Sequence, residues 1–102
     1  RKMRLLYVPC KNKAEAKNIT IKLISKKLIA CANIFPINSL YKWKGKLQDD
    51  KEFVLLAKTN DDKVNAAEKE IKRLHSYDIP CIIKINFSAN KEYQNWLNGQ
   101  IK

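Results

Sequence analysis

The stretch from Leu28 to Thr59 limits what this chain can fold into more than any other. It opens with the apolar run Leu28-Ile29-Ala30-Cys31-Ala32-Asn33-Ile34 and passes through Tyr41-Lys42-Trp43-Lys44-Gly45-Lys46. It then returns through Glu52-Phe53-Val54-Leu55-Leu56-Ala57-Lys58-Thr59. The two runs are rich in β-branched and aromatic residues, and the charged turn between them holds Gly45, the only glycine before Gly99. That is the pattern of a long β-hairpin. A lone hairpin is marginal in water, so limbs this apolar need cover from the segments on either side.

Those segments read as follows. Met3 to Val8 is a short buried strand ended by Pro9, which cannot donate to a ladder. Asn12 caps a helix of about four turns whose stripe runs through Ala16, Ile19, Leu23 and Leu28, widened by Thr20 and Ile24. Within the hairpin, Pro36 predicts a bulge or an edge segment over Ile34 to Asn38. Phe53 to Ala57 is apolar on both faces, as a central strand is. Asn60, Asp61 and Asp62 supply a helix start for the stripe Val64, Ala67, Ile71 and Leu74. His75 to Asp78 is a polar connection into a last strand, Ile79 to Ile85, with Pro80 near its beginning. Asn90 or Ser88 then caps a short helix carrying Tyr93, Trp96, Leu97 and Ile101 on one stripe.

The order β-α-β-β-α-β with an added C-terminal helix is the ferredoxin-like α+β fold, an antiparallel sheet with both helices on one face. Only the last helix is left to cover the other face. An apolar second face points to burial against further copies of the chain.

With 102 residues the chain is expected to form one domain, residues 1–102. Its net charge of +11 raises nucleic acid as a partner. However, 18 of the 21 basic residues are Lys, and they form no basic tail and no aromatic-basic interleaving, so no nucleic-acid partner is expected. No apolar run is long enough to span a bilayer and no signal-peptide core is present, so no membrane association is expected either. Cys10, Cys31 and Cys81 are an odd, widely spaced set, which fits free thiols in a reducing compartment. The expected location is the cytoplasm, or an organelle if a targeting segment has been removed. There is no Gly-rich phosphate loop and no HExxH motif, and His75-Ser76-x-Asp78 lists triad residue types without the spacing of a triad, so catalysis is not expected.

Leu28-Ile29-Ala30-Cys31-Ala32-Asn33-Ile34-Phe35-Pro36 and Ser39-Leu40-Tyr41-Lys42-Trp43-Lys44-Gly45-Lys46 resemble the CutA family of divalent-cation tolerance proteins. Lys58-Thr59, Leu74-His75-Ser76-Tyr77-Asp78-Ile79-Pro80 and Tyr93-Gln94-Asn95-Trp96-Leu97 continue the resemblance in order, from Arg4 to about Leu97. It implies a homotrimer similar in architecture to PII signalling proteins, with the hairpin pairing neighbouring subunits, and a link to copper or another divalent cation. It also implies metal ligands at Cys31, His75 and, more weakly, Cys10. Imidazole and thiolate suit copper or zinc. The alternatives are a helix-terminal His75 whose ring bonds a backbone carbonyl, and a Cys31 that is simply a small apolar residue of a core strand. Trp43, Lys58 and Tyr77 match positions lining the cleft between subunits, where aromatic walls and a lysine suit a small anion.

The chain also departs from the family's usual pattern. Ser76 and Cys81 stand where Pro and Glu are usual, so a carboxylate near the last strand is lost, and Cys81 is expected in the core. Lys44 replaces an often acidic residue, which predicts a more positive cleft. The function this supports is a trimeric divalent-cation tolerance protein that binds metal, copper foremost, for sequestration or sensing. The alternative is a PII-like trimeric signalling or scaffold protein whose inter-subunit cleft takes a small anion or a partner protein.

Overall fold

A computed structural model describes residues Arg1–Lys102. Its hairpin is longer than the apolar runs that announce it. Strands β2 (Cys31–Trp43) and β3 (Lys46–Asn60) pair antiparallel in one unbroken register, from Cys31 opposite Lys58 to Trp43 opposite Lys46. Lys44 at φ 51° and Gly45 at φ 80° form the turn between them, the backbone that a two-residue primed turn requires. Pro36 sits opposite Phe53 with no bulge, because β2 is the edge strand of a sheet ordered β2-β3-β1-β4. An edge strand has a side on which a missing N–H costs no ladder bond.

The remaining elements are β1 (Met3–Cys10), α1 (Lys13–Ser25), α2 (Val64–Leu74), β4 (Ile83–Phe87) and α3 (Lys91–Gln100). β1 runs on past the expected stop at Pro9, which lies opposite Val54. β4 pairs only with Met3 to Tyr7, so the prolyl nitrogen has no second neighbour to serve. β4 begins at Ile83 rather than Ile79, since Pro80 and the exposed Ile79 belong to the incoming loop. α1 stops at Ser25, short of Leu28. Lys27, at φ 57°, closes it with bonds from Lys27 N–H to the Ile24 carbonyl and from Leu28 N–H to the Leu23 carbonyl. Asn60 does not cap α2; its Oδ1 accepts the N–H of Asp62 and shapes the turn before the helix.

Ala16, Ile19 and Leu23 of α1 and Val64, Ala67 and Ile71 of α2 bury against Leu6, Val8, Leu55 and Ala57 in one cluster. Both helices therefore lie on one face of the sheet. Met3 points the other way along β1 and joins Ala30, Leu97 and Ile101, which places α3 across one end of the opposite face. Beyond α3 that face is open, with Ile83 and Ile85 exposed.

β1 pairs with β3 only from Phe53 onward. From Ile37 opposite Glu52 to the turn, the hairpin is a two-stranded ribbon carrying exposed Leu40, Tyr41, Trp43 and Leu47. This arm stretches the molecule to 45 Å in one direction against 23 and 20 Å in the others. No helix is long and apolar enough to cross a membrane.

Candidate functional site

The end of β1, the start of α1 and the end of α2 meet at one corner, because both helices pack on the same face and β1 runs beneath them. Cys10 closes β1, fully buried on the helix side. Asn12 caps α1 by accepting the N–H of Glu15 at 2.8 Å, which fixes Glu15 in the first turn. His75 follows α2 directly, its own N–H bonded to the Ile71 carbonyl at 2.9 Å. Ligand-capable atoms of Cys10, Glu15 and His75 all lie within 4.8 Å of one another.

The polar groups of this corner have partners. One Glu15 oxygen accepts the N–H of Lys11 at 3.0 Å and the other accepts the N–H of Ser76 at 3.0 Å, tying α1 to the segment after α2. The Nδ1 of His75 accepts the Tyr77 N–H at 3.1 Å, so Nε2 carries the proton and donates to the Pro9 carbonyl at 2.9 Å. The Cys10 thiol donates to the Val8 carbonyl at 3.6 Å. Burial, followed by the charges of Glu15 and Glu52, pushes that thiol up from 9.0 to about 12. Burial also pushes the Glu15 carboxyl up, but hydrogen bonds from Ser76 and Lys11 and the nearby His75 outweigh it and leave the group below its ordinary range. Sulfur, imidazole nitrogen and carboxylate oxygen form a donor set for a borderline-soft divalent metal and fit copper or zinc better than calcium or magnesium. Three protein ligands leave a coordination position open.

Glu15 is absent from the ligands the sequence suggests. Its signal is an acidic residue three positions after an Asn cap in a helix that begins beside a cysteine.

Cys31 is elsewhere. It pairs with Lys58 on β3, whereas Cys10 pairs with Phe53, so roughly 17 Å of strand separates the two cysteines. Within one chain Cys31 and His75 therefore do not converge. Cys31 Sγ lies 3.2 Å from the Tyr93 hydroxyl of α3, and Lys58 Nζ lies 3.4 Å from the same oxygen. The Cys31 hydrogen bond, with burial behind it, pushes the Tyr93 phenol up to about 12.

Lys58 is thus separated from Trp43 and Tyr77, which share a cleft of about 740 Å³ between the ribbon and the loop after His75. Within this one chain the cleft shared by Trp43 and Tyr77 is acidic. Asp50, Glu52 and Asp78 line it with no Lys or Arg among the lining residues, and Lys44 stays out at the hairpin turn. The Tyr77 hydroxyl donates to Glu52 at 2.6 Å and the Tyr41 hydroxyl to Asp50 at 2.6 Å. Cys81 is exposed at this cleft, not in the core, because it lies in the irregular segment before β4. The His75 and Tyr77 ring centroids are 4.7 Å apart, which sets cleft and buried corner side by side.

A family model described as CutA1 divalent ion tolerance protein matches residues 4–100. The divalent-cation tolerance protein CutA of Thermotoga maritima is 38% identical over 97% of this chain and 99% of its own. The chloroplastic protein CutA 1 of rice is 37% identical over 96% of this chain, which spans 56% of the rice protein. The solved structure of the periplasmic divalent cation tolerance protein CutA from Archaeoglobus fulgidus superposes with a TM-score of 0.95 at 36% identity, over 98% of this chain and 99% of that one.

Proposed function

The chain belongs to the CutA family of divalent ion tolerance proteins, and from that premise we propose that it holds a divalent metal, copper foremost, on Cys10, Glu15 and His75. The observation carrying this reading is the approach of three unlike ligand atoms to within 4.8 Å of one another in a buried corner. Among first-row divalent ions such a site binds copper most tightly, and the thiolate reinforces that order. Bound there, the metal would serve as cargo or signal, with no substrate to transform. To admit it, Cys10 loses its proton and His75 surrenders one of its two ring hydrogen bonds. The Ser76 and Lys11 amides keep Glu15 oriented while this happens. A reducing compartment, the cytoplasm or an organelle interior, suits three free cysteines.

The working unit we propose is a homotrimer. Supporting this are the exposed apolar residues of the two-stranded ribbon and the part of the sheet that α3 leaves open.

The test is a copper titration against a competing chelator on the wild type, Cys10→Ser, His75→Ala and Cys31→Ser. One ion per chain, lost with Cys10→Ser and His75→Ala but kept with Cys31→Ser, supports the site. Retention of full affinity by both Cys10→Ser and His75→Ala would falsify it.

A further inference from the structure

We propose that metal held by Cys10, Glu15 and His75 is reported to the root of the two-stranded ribbon through Tyr77, whose bond to Glu52 gives way when the ion binds. The inference rests on the metal reading and deepens it, from a site that holds an ion to a site that signals one.

The first link is the tautomer of His75. Its Nδ1 accepts the Tyr77 N–H at 3.1 Å, while Nε2 carries the proton and donates to the Pro9 carbonyl at 2.9 Å. A metal on Nδ1 takes the lone pair that the Tyr77 N–H uses and leaves the Pro9 bond intact. A metal on Nε2 sends the proton to Nδ1, since a neutral imidazole keeps one N–H, and the Tyr77 N–H then faces another donor. Whichever nitrogen binds, the Tyr77 amide loses its acceptor.

The second link is the Tyr77 hydroxyl, which donates to Glu52 Oε2 at 2.6 Å. Glu52 is only 6% exposed, forms no ion pair and accepts no other hydrogen bond, so this phenol is what holds it. Glu52 also stands where β3 leaves the sheet. Phe53 beside it still pairs with Cys10 of β1, whereas Glu52 pairs only with Ile37 of β2. Tyr77 thus grips the imidazole by its amide and the ribbon root by its hydroxyl. A backbone shift that finds the freed amide a new partner carries the phenol away from Glu52. All these bonds lie within one chain, among buried and half-buried groups, so cover by another copy leaves them in place. Coupling of this kind is reciprocal. Removing the Tyr77–Glu52 bond beforehand therefore removes a cost of binding metal.

Zinc alone is the probe, titrated into the assembled protein against a competing chelator, with hydrogen–deuterium exchange of Asp50–Val54 followed with and without it. Tyr77→Phe keeps the ring and the amide and deletes only the hydroxyl. Glu52 is left in place because its charge also acts on the Cys10 thiol. Zinc is expected to bind Tyr77→Phe at least ~5-fold more tightly than wild type. Zinc should also speed exchange of Asp50–Val54 by ~3-fold or more in the wild type, and leave it unchanged in Tyr77→Phe. A merely structural role for Tyr77 gives weaker or equal binding in the variant, which overturns the coupling and leaves the metal site standing. Zinc that binds the wild type without altering exchange at Asp50–Val54 overturns it as well. Zinc binding that persists in both Cys10→Ser and His75→Ala removes the metal reading and the coupling with it.

Discussion

The imidazole of His75 donates to the carbonyl of Pro9 over 2.9 Å, one residue before the Cys10 thiol. That bond joins the end of α2 to the end of β1, and the Tyr77 amide holds the ring from its other nitrogen at 3.1 Å. The ring is therefore oriented before any metal arrives; to bind one, it gives up one of these two bonds and the neighbouring thiol gives up its proton.

Metal affinity should consequently rise with pH. The Cys10 thiol, at about 12, is protonated throughout the neutral range, while only its thiolate is a ligand. Each bound ion then releases about one proton, and log K for zinc rises by about one per pH unit between pH 7 and 9. Cys10→Ser should flatten that slope. A wild-type slope near zero, measured by chelator competition at stepped pH, would show that the thiol is not a ligand.

Folding stability should fall at both ends of the pH scale, for opposite reasons. Arg73 and Lys26, hydrogen-bonded to Glu70 at 2.6 to 2.8 Å, hold its carboxyl at about 2. A carboxyl lowered on folding stabilises above its unfolded value of 4.5, and that contribution is lost as pH falls from there through about 2. Cys10 is raised on folding, so its contribution is complete below 9.0 and is lost as pH climbs towards about 12. Urea midpoints should form a plateau between these limits. Glu70→Gln should lower the plateau and make the acid limb shallower; an acid limb as steep as wild type would remove Glu70 from the account.

Two turn positions should respond in opposite senses to a change of side chain. Gly45 lies at φ 80° with nothing within 4 Å of the place a Cβ would occupy, so Gly45→Ala meets conformational strain and no clash. It should cost about 1 kcal/mol. Lys27 occupies the same backbone region at φ 57° while closing α1, where glycine is the favoured residue. Lys27→Gly should gain about 0.5 to 1 kcal/mol. Denaturant midpoints of the two variants should move in opposite directions, and a destabilised Lys27→Gly would mean that the lysine side chain matters more than its backbone.

Much of this was legible in residue order, and the misses have physical causes. The stripes of α1 and α2 and the two-sided apolar run of β3 located their elements, because periodicity reports which faces are buried. Pro9 and Pro36 misled for one reason: a proline is excluded only where its N–H is needed, and that depends on the neighbouring strand, which sequence does not display. Strand Ile79–Ile85 was placed four residues early because Ile79 is apolar without being buried. His75 was legible as a ligand type, and its ring does bond a backbone carbonyl as the plainer reading expected. Of its companions, Cys10 was named through the family resemblance while Glu15 was missed, because the two reach the ring only through the register of β1 and the cap of α1. Lys44 signalled a positive cleft, yet the turn carries it away from the cleft that Asp50 and Glu52 line.

The ribbon supplies the last prediction, on assembly. From Ile37 to Trp43 and Lys46 to Glu52 the hairpin has no third strand, and Leu40 and Leu47 are 65% and 69% exposed. Two strands with apolar side chains in water gain little on their own, so the ribbon needs a surface to lie on. In a homotrimer that surface would be another copy. Burying each leucine there would contribute about 2 kcal/mol per chain, and a lysine in its place would forfeit that and bury charge as well. Leu47→Lys is expected to sediment as single chains at concentrations where, on the proposed assembly, the wild type should sediment as three copies. Trp43→Ala should weaken it more than removing any one helix-face lysine, such as Lys17→Ala. Sedimentation equilibrium in mild denaturant reads all three variants. An unchanged mass for Leu47→Lys and Trp43→Ala would mean that the ribbon is not the element that joins the copies.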